Sequence, residues 1–383
     1  MSDTQVKLIL GSNSFDEEKL KEKVTNNISL IGAKHFWDQG YKGKGVVVAI
    51  LDTGCNYHHI DLKDRIIGGY NFTKESNGDS SIFEDFNGHG THVAGTIAAS
   101  INGIGIVGVA PEASLLILKV LDYKGSGTLA SLVKAIDYAI NWTGPNNEKV
   151  NVLSLSLGLS SSKENLHNVI KQAVSNDIAV VVASGNEGDG DLSTDEYSYP
   201  AGYEEVIAVG ATDKNNKIAN FTNTNKEVDI YAPGVDIRST YLNKDYADLS
   251  GTSMAAPHVT GALALLINKY KNLKKSKLTE AELFMYLMQH TTKVQIGDYG
   301  ETISILNLSK DISIEGGSNE PSETPLDLSL LLKCFCEARK SQALFTQSLN
   351  ENSTENERKF LISLIQESAY TASHIKNLCK SFK

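Results

Sequence analysis

The chain has 383 residues, 41% hydrophobic composition and a formal net charge of -10. This length allows one large domain with a sizeable core and an appendage. The negative net charge argues against nucleic-acid binding, because a protein that binds nucleic acid needs a basic face. No apolar stretch is long enough to span a membrane.

The N-terminal segment lacks the apolar core and cleavage site of a signal peptide. The cysteines are Cys55, Cys334, Cys336 and Cys379. Three of them lie near the C-terminus, so they form no disulfide framework for a core, and we expect reduced thiols in a cytoplasmic protein.

The first predicted strand, Val46–Leu51, is a run of β-branched and aliphatic residues that suits a strand buried on both faces. Asp52 follows it directly, at the end where open α/β sheets build their sites. Further on, His89 stands between two glycines at the start of a predicted helix, Thr91–Ala99. A histidine in such a turn is usually structural, so this feature alone does not decide its role.

The middle of the chain alternates strand-like and helix-like segments. Strands are predicted over Leu115–Leu121, Val150–Leu157, Ile178–Ala183 and Glu205–Ala211, and helices over Gly127–Asn141, Lys163–Asn176, Met254–Tyr270 and Thr279–His290. This alternation predicts an α/β fold with a mostly parallel central sheet and helices on both faces. Asn186 comes shortly after the strand predicted over Ile178–Ala183, and Ser253 comes just before the helix predicted over Met254–Tyr270.

A carboxylate, an imidazole and a hydroxyl in the order Asp52, His89 and Ser253 are the parts of a nucleophilic acyl-transfer site. A serine hydroxyl needs a base beside it, and an imidazole can take its proton and later return it. Asn186 is suited to donate a hydrogen bond to the oxyanion, with the backbone N–H of Ser253 as second donor. Ser253 alone would be interpreted as a helix cap, but the four segments together favour catalysis.

The composition changes near the C-terminus. Residues 313–325 are rich in Gly, Ser, Asn, Glu and Pro and are predicted to be a linker. Residues 326–383 are predicted to form a helical hairpin, with helices over Leu326–Leu349 and Glu355–Phe382. Its apolar residues, which include Leu328, Leu331, Leu332, Phe335 and Ala338, could pack on the core, on a second chain in a homodimer, or on a delivery partner.

Together these segments resemble the subtilisin family of serine proteases, and within it the intracellular subtilisins of Gram-positive bacteria. Further points of similarity are Asp52–Cys55, Ile66–Thr73, Ala110–Leu116, Gly185–Asp191, Asn225–Asp229 and Ala232–Gly234. The resemblance implies an intracellular serine endopeptidase that cleaves peptide bonds through an acyl-enzyme. Two alternatives are a narrow-specificity leader peptidase and a non-catalytic binding module on a protease scaffold, although such a scaffold would need none of the four polar residues.

The resemblance also divides the chain into an N-terminal arm, residues 1–25, and a subtilisin-like peptidase domain, residues 26–312, ahead of the linker and hairpin. In the family a short extension blocks the site until it is removed, and Val6–Leu10 resembles that inhibitory strand. Leu10 stands where the family has proline. The alternative is an ordinary surface arm.

Substrate-binding residues follow from the same resemblance. Gly125, Ser126 and Gly127 would pair with the substrate backbone as an added strand, opposite Ser156, Leu157 and Gly158. The S1 pocket would lie between that second edge and Ala183, Ser184 and Gly185, with Ser198 near its base. Leu129, Leu132 and Leu157 would line an apolar S4 pocket, although composition alone would make these leucines core residues.

A Ca²⁺ site is also implied by the resemblance. The side chains of Asp61 and Asn102 and the carbonyls of Ser100, Ile104 and Ile106 would form an all-oxygen shell, which suits calcium. A weaker cation site would use the carbonyls of Ala201, Tyr203 and Val206.

Overall fold

The computed structural model describes residues 5–8, 13–15, 21–191, 193–274, 277–296, 301–310 and 355–381, together with 334, 335, 337–339, 341, 342 and 345. The predicted linker lies outside the described residues. So do Leu328, Leu331 and Leu332 of the predicted hairpin.

The strands, in chain order, are β1 Gln5–Leu8, β2 Asn13–Phe15, β3 Val47–Asp52, β4 Ile66–Asn71, β5 Ser114–Lys119, β6 Ser126–Thr128, β7 Val152–Leu155, β8 Leu157–Gly158, β9 Ala179–Ala183, β10 Ile207–Thr212, β11 Val228–Pro233, β12 Ile237–Thr240, β13 Tyr246–Leu249, β14 Thr291–Ile296 and β15 Glu301–Leu306. The helices are α1 Asn26–Leu30, α2 Lys34–Asp38, α3 His89–Ala98, α4 Leu129–Asn141, α5 Glu164–Ser175, α6 Thr252–Lys274, α7 Glu280–Gln289 and α8 Glu355–Ser381. Short 3₁₀ turns span Ser76–Gly78 and Leu242–Lys244.

The central sheet of the described chain has nine strands in the order β14-β15-β11-β10-β9-β7-β3-β5-β4. From β15 to β4 every neighbouring pair is parallel, and only the edge strand β14 is antiparallel. The mostly parallel sheet that the sequence predicts is therefore confirmed.

Helices cover both faces of this sheet. Along β3, Val48 and Ile50 belong to a core cluster that contains residues of α3 and α6, whereas Ala49 and Leu51 belong to a cluster that contains residues of α4 and α5. Successive residues of a strand point to opposite faces of the sheet, so β3 contributes side chains to the core clusters on both faces. This double burial explains the unbroken apolar run that precedes Asp52.

Two of the element boundaries predicted from the sequence are wrong. The segment predicted as one strand, Val150–Leu157, is divided into β7 and β8, and β8 belongs to a different sheet. The helix predicted from Gly127 begins at Leu129, because the residues before it form β6. Thr128 caps the helix by accepting a hydrogen bond from the backbone N–H of Ser131 at 3.1 Å.

The described part of the C-terminal extension packs on the hydrophobic core of the α/β fold. Helix α8 matches the second predicted helix of the hairpin. Phe335 is buried, with its ring centroid 4.9 Å from that of Phe284 in α7, and Ala372 of α8 is buried in the same cluster. The described residues of the extension therefore pack on the core, which is the first of the three alternatives that the sequence left open.

Arg339 makes the polar part of this contact and is only 5% exposed. Its Nε donates to a carboxylate oxygen of Glu280 at 3.3 Å, and its Nη2 donates to the carbonyl oxygen of Glu205 at 2.9 Å. Burial opposes ionisation of Glu205, but the hydrogen bond from His167 and the nearby positive charges lower its pKa overall.

None of the described helices combines the length and the apolar character needed to cross a bilayer.

Candidate active site

Asp52 and His89 come together although they are 37 residues apart in sequence. Asp52 ends β3, and His89 begins α3. Nδ1 of His89 lies 2.8 Å from Oδ1 of Asp52, and both side chains are almost fully buried. The backbone N–H of Thr53 donates to the same carboxylate oxygen at 2.7 Å. A carboxylate in this place fixes the imidazole as the Nδ1–H tautomer and leaves Nε2 as the basic nitrogen.

Ser253 lies in the first turn of α6 and is fully buried. Its hydroxyl donates to the carbonyl oxygen of Ser156 at 3.3 Å. Nε2 of His89 has no hydrogen-bond partner within the described part of the chain. Contacts between nucleophile and base are often loose before substrate binds, so this geometry is compatible with nucleophilic chemistry.

The amide of Asn186 has a defined orientation. Its Oδ1 accepts hydrogen bonds from the backbone N–H and from Oγ1 of Thr252, each at 2.9 Å. An amide whose oxygen is held in this way presents its NH₂ group on the other side. Since Thr252 immediately precedes Ser253, the amide is fixed relative to the serine and its backbone N–H.

The residues predicted to pair with substrate belong to β6 and β8 or adjoin them, and β1, near the N-terminus, lies between these two strands. Strand β1 pairs antiparallel with β6, with Val6 opposite Gly127 and Lys7 opposite Ser126. On its other side, Leu8 pairs with Leu157 of β8. The three strands form a small sheet in the order β6-β1-β8. A segment of this chain therefore takes the place proposed for substrate.

The segment proposed for the S1 wall adjoins the start of α6. Ala183 and Ser184 are buried, and the backbone N–H of Gly185 donates to Oγ1 of Thr252 at 3.2 Å. Ser198 is half-buried and is followed by Tyr199, whose backbone pairs with that of Leu159 just beyond β8. The structure therefore places these segments on one side of the cleft.

The leucines proposed for S4 differ in burial. Leu132 and Leu157 are buried within a core cluster, and Leu129 is half-buried and packs against the same cluster. They agree with the core interpretation and also lie beside the cleft edges, since Leu129 begins α4 directly after β6.

Comparison with known proteins decides the family. A model of the subtilase family matches residues 43–308. The chain belongs to the subtilase family. It is 49% identical over 275 residues to the major intracellular serine protease of Bacillus subtilis (strain 168), covering 72% of this chain and 84% of that relative. It is 50% identical over 283 residues to the intracellular serine protease of Paenibacillus polymyxa, covering 74% and 85% of the two chains. Subtilisin Savinase of Lederbergia lenta is 46% identical over 248 residues, which is 65% of this chain and 86% of that protein.

These relatives confirm the predicted resemblance and make this subtilase a serine endopeptidase. Family membership also argues against the alternative of a scaffold without catalysis. The roles of individual residues depend on the geometry described above.

The residues predicted to bind calcium lie together in this subtilase. The Asp61 carboxylate is fully buried, and it accepts hydrogen bonds from Nδ2 of Asn102 at 2.9 Å, the N–H of Ile106 at 3.2 Å and the hydroxyl of Tyr246 at 2.9 Å. Burial and the Asp61 charge raise the pKa of Tyr246, which keeps that hydroxyl a donor.

Glu22 lies outside this loop but contacts it, and the sequence analysis did not name it. One oxygen of its carboxylate accepts hydrogen bonds from the backbone N–H groups of Asn102 at 2.7 Å and Gly103 at 2.8 Å. Oxygen donors from Glu22, Asp61 and the loop are the ligand types that Ca²⁺ takes, but here N–H and O–H donors bind both carboxylates and Asn102 turns its Nδ2 toward Asp61. No group of three or more His, Cys, Asp or Glu side chains suited to a metal occurs in the described residues.

The segment proposed for a weaker cation site follows Pro200. Ala201, Tyr203 and Val206 are all buried there. The carbonyl of Tyr203 accepts a hydrogen bond from the N–H of Val206 at 3.4 Å. The neighbouring carbonyl oxygen of Glu205 accepts a hydrogen bond from the guanidinium group of Arg339, so a positively charged side chain already contacts this segment.

Sequence reasoning missed two further polar residues near the catalytic pair, Thr53 and Asp85. Both are buried. Their signal in the sequence is their position, since Thr53 directly follows Asp52 and Asp85 lies four residues before His89.

Proposed function

We propose that Asp52, His89 and Ser253 are the catalytic triad of this serine endopeptidase and that Asn186 helps to form its oxyanion hole. The observation that carries the proposal is the 2.8 Å contact between His89 Nδ1 and Asp52 Oδ1 at the carboxyl end of β3. The first turn of α6 brings Ser253 to the same end of the sheet. Subtilases use this chemistry, and the four residues stand in the matching order.

In this mechanism Nε2 of His89 takes the Ser253 proton as Oγ attacks the peptide carbonyl. Asp52 stabilises the imidazolium without taking its proton. The NH₂ group of Asn186 and the N–H of Ser253 donate to the oxyanion. His89 then protonates the leaving amine, and water releases the acyl group from the serine by the same steps in reverse.

The proposal is tested by the change Ser253→Ala, which removes the nucleophile and leaves a residue compatible with a helix. We expect loss of casein and peptide hydrolysis, an unchanged circular dichroism spectrum, and loss of labelling by a serine-directed fluorophosphonate. Ser160→Ala, at an exposed serine, is the control and should keep activity. Labelling that persists in Ser253→Ala would refute the assignment. A peptide library cleaved by the wild type separates general turnover from a narrow processing role.

We propose that the enzyme acts in the cytoplasm on protein or peptide substrates. The support is that two relatives, from Bacillus subtilis and Paenibacillus polymyxa, are named intracellular serine proteases. Fractionation of the producing cells tests this proposal, because activity confined to the secreted fraction would contradict it.

The N-terminal arm is proposed to inhibit the enzyme until it is removed. Strand β1 fills the cleft between β6 and β8, so substrate cannot add its own strand there. The arm is also attached outside the cleft, because β2 pairs antiparallel with β13. A tethered strand has a high effective concentration, so even weak pairing would keep the cleft occupied.

Calcium is proposed to bind at Asp61 and Asn102 with the carbonyls of Ser100, Ile104 and Ile106. Glu22 contributes a second carboxylate at the same loop. A bound cation would neutralise these carboxylates and brace the loop, which stabilises the native state by linkage. No chemical step is assigned to it.

A further inference from the structure

Asp85 is a buried carboxylate outside the triad that makes an unusually complete set of hydrogen bonds. It is 3% exposed. Its Oδ1 accepts from Oγ1 of Thr53 and from the backbone N–H groups of Asn87 and Gly88, each at 2.9 Å. Its Oδ2 accepts from the N–H of Thr91 at 2.9 Å and from Oγ1 of Thr91 at 2.7 Å. Five donors satisfy a buried negative charge that would otherwise be costly to desolvate.

These bonds join the two segments that carry Asp52 and His89. Asn87, Gly88 and Thr91 surround His89 at the start of α3, whereas Thr53 follows Asp52 at the end of β3. The hydroxyl of Thr53 also accepts a hydrogen bond from the N–H of Gly90 at 2.9 Å. The Thr53 side chain therefore connects the strand end to the residues on both sides of His89, directly through Gly90 and indirectly through Asp85.

The close approach of strand and helix depends on a glycine. A Cβ atom at Gly90 would lie 2.2 Å from the carbonyl oxygen of Gly54, which is far inside van der Waals contact. Without that side chain, the first turn of α3 packs against the segment after Asp52. The contact is close enough for the hydrogen bonds of Thr53 to span it.

The backbone of Thr53 is held as well. Its N–H donates to Asp52 Oδ1 at 2.7 Å, the oxygen that also faces His89. Its carbonyl accepts a hydrogen bond from the ammonium of Lys119, which is fully buried and pairs with Glu75 at 2.8 Å. Movement of Thr53 would therefore be transmitted to the carboxylate oxygen that orients the imidazole.

We propose that Thr53 and Asp85 are positioning residues of the catalytic reaction: the Thr53 hydroxyl and the Asp85 carboxylate fix the Asp52 carboxylate and the His89 imidazole relative to each other. Neither residue touches the substrate in this account. We expect their loss to slow the chemical step and to leave substrate binding nearly unchanged. Small displacements of reacting groups lower the rate of that step more than they weaken binding.

The sharpest test compares Thr53→Val with Thr53→Ser in the full chain. Valine keeps the shape of threonine but can neither donate to Asp85 nor accept from Gly90, whereas serine keeps both bonds. We expect Thr53→Val to lower kcat for a short peptide by about tenfold to a hundredfold with KM unchanged, and Thr53→Ser to stay close to the wild type. Mass spectrometry should verify that the N-terminal arm is in the same state in every sample.

A spectroscopic readout reports on the contact itself. The His89 Nδ1 proton shared with Asp52 gives a downfield ¹H resonance, and Thr53→Val and Asp85→Asn should shift or broaden it. Asp79→Asn is the matched control, since Asp79 lies on the surface and its carboxylate accepts hydrogen bonds from the N–H and the hydroxyl of Ser81, away from the proposed site. In Thr53→Val/Asp85→Asn, the loss of kcat should be smaller than the product of the two single losses because they break one shared bond.

Wild-type kcat and an unmoved resonance in Thr53→Val would overturn the proposal. So would a loss of activity that merely follows the unfolded fraction measured by circular dichroism, or fully multiplicative losses in the double variant. If Asp85→Asn fails to fold, Thr53→Val and Thr53→Ser still decide the matter through kcat and the resonance.

Discussion

At the scale of single residues, the geometry of the site depends on neighbouring residues whose hydrogen bonds hold its polar side chains in one orientation. Asn186 illustrates this, because its Oδ1 accepts two hydrogen bonds from Thr252, next to the proposed nucleophile Ser253. The donor end of the amide is therefore directed before substrate arrives, which is the condition for stabilising an oxyanion without reorganisation.

Asn186→Ala should lower kcat by about a hundredfold to a thousandfold and leave KM nearly unchanged. That magnitude is the loss known when the corresponding type of donor is removed from a subtilisin. Steady-state kinetics on a short peptide would measure both constants. Asn141→Ala, on an exposed position at the end of α4, serves as the control. A raised KM with an unchanged kcat would mean that Asn186 binds ground-state substrate instead.

At the scale of elements, the described residues of the proposed N-terminal arm contact the rest of the chain at three places. Strand β1 lies between β6 and β8, β2 extends the β12-β13 pair, and Glu22 accepts hydrogen bonds from the loop around Asn102. In the proposed inhibition the first contact would compete with substrate, and the other two would hold the arm in place. Leu10, where the family has proline, lies outside the described residues.

A chain that begins at Lys21 loses β1 and β2 but keeps Glu22 on its loop. It should hydrolyse a short peptide faster than freshly prepared full-length protein, because the cleft edges are then open. The peptide Gln5–Ser12 should inhibit the shortened chain competitively, and a scrambled peptide of the same composition should not. Equal initial rates for the two chains would leave the arm as a surface extension.

The C-terminal extension meets the core through a buried ion pair as well as through apolar packing. Arg339 and Glu280 have side chains only 5% and 4% exposed. Removing one member of such a pair leaves a buried charge without its partner, which costs far more than breaking a surface pair.

Arg339→Gln should therefore lower the free energy of unfolding by about 3 kcal/mol. Urea denaturation followed by circular dichroism would measure it. The control is Lys34→Gln, which breaks an exposed pair with Asp38 and should cost less than about 1 kcal/mol. If both changes cost the same small amount, the extension does not contribute to stability through this pair.

At the scale of the whole molecule, the loop around Asn102 connects the N-terminal segment that carries Glu22 to the core of the fold. Glu22 contacts the loop, and Asp61 supports it from below while bonding to Tyr246 of β13. A cation held here would therefore stabilise the native state as a whole.

Chelation should lower the melting temperature of the wild type, and Asp61→Ala should abolish that response. At a free Ca²⁺ concentration about a hundred times the dissociation constant, binding contributes about 3 kcal/mol. Scanning calorimetry with and without chelator would measure the change, and Asp79→Ala should still respond as the wild type does. A melting curve that chelator leaves unchanged would exclude the site.

Much of this protein could be predicted from local pattern. The alternation of strand-like and helix-like segments predicted the mostly parallel sheet, and the apolar run Val46–Leu51 predicted the strand before Asp52, because burial on both faces imposes such a run. The helix predicted over Thr91–Ala99 begins two residues earlier, at His89. The break between β7 and β8 could not be predicted. Ser156 lies among apolar residues, and only pairing with other strands assigns its neighbours to different sheets.

The sequence by itself determined the mostly parallel sheet and the family, and it supplied the proposed set of reactive side chains, since these follow from periodicity, motif and residue type. The tertiary structure alone decided which distant groups share hydrogen bonds. Asp85 and Thr53 show no periodicity and resemble ordinary turn residues, yet in the folded chain their hydrogen bonds join the segment that carries Asp52 to the segment that carries His89. The physical reason is that a hydrogen bond depends on distances of about 3 Å, and such distances between separate segments are fixed only when the whole chain has packed.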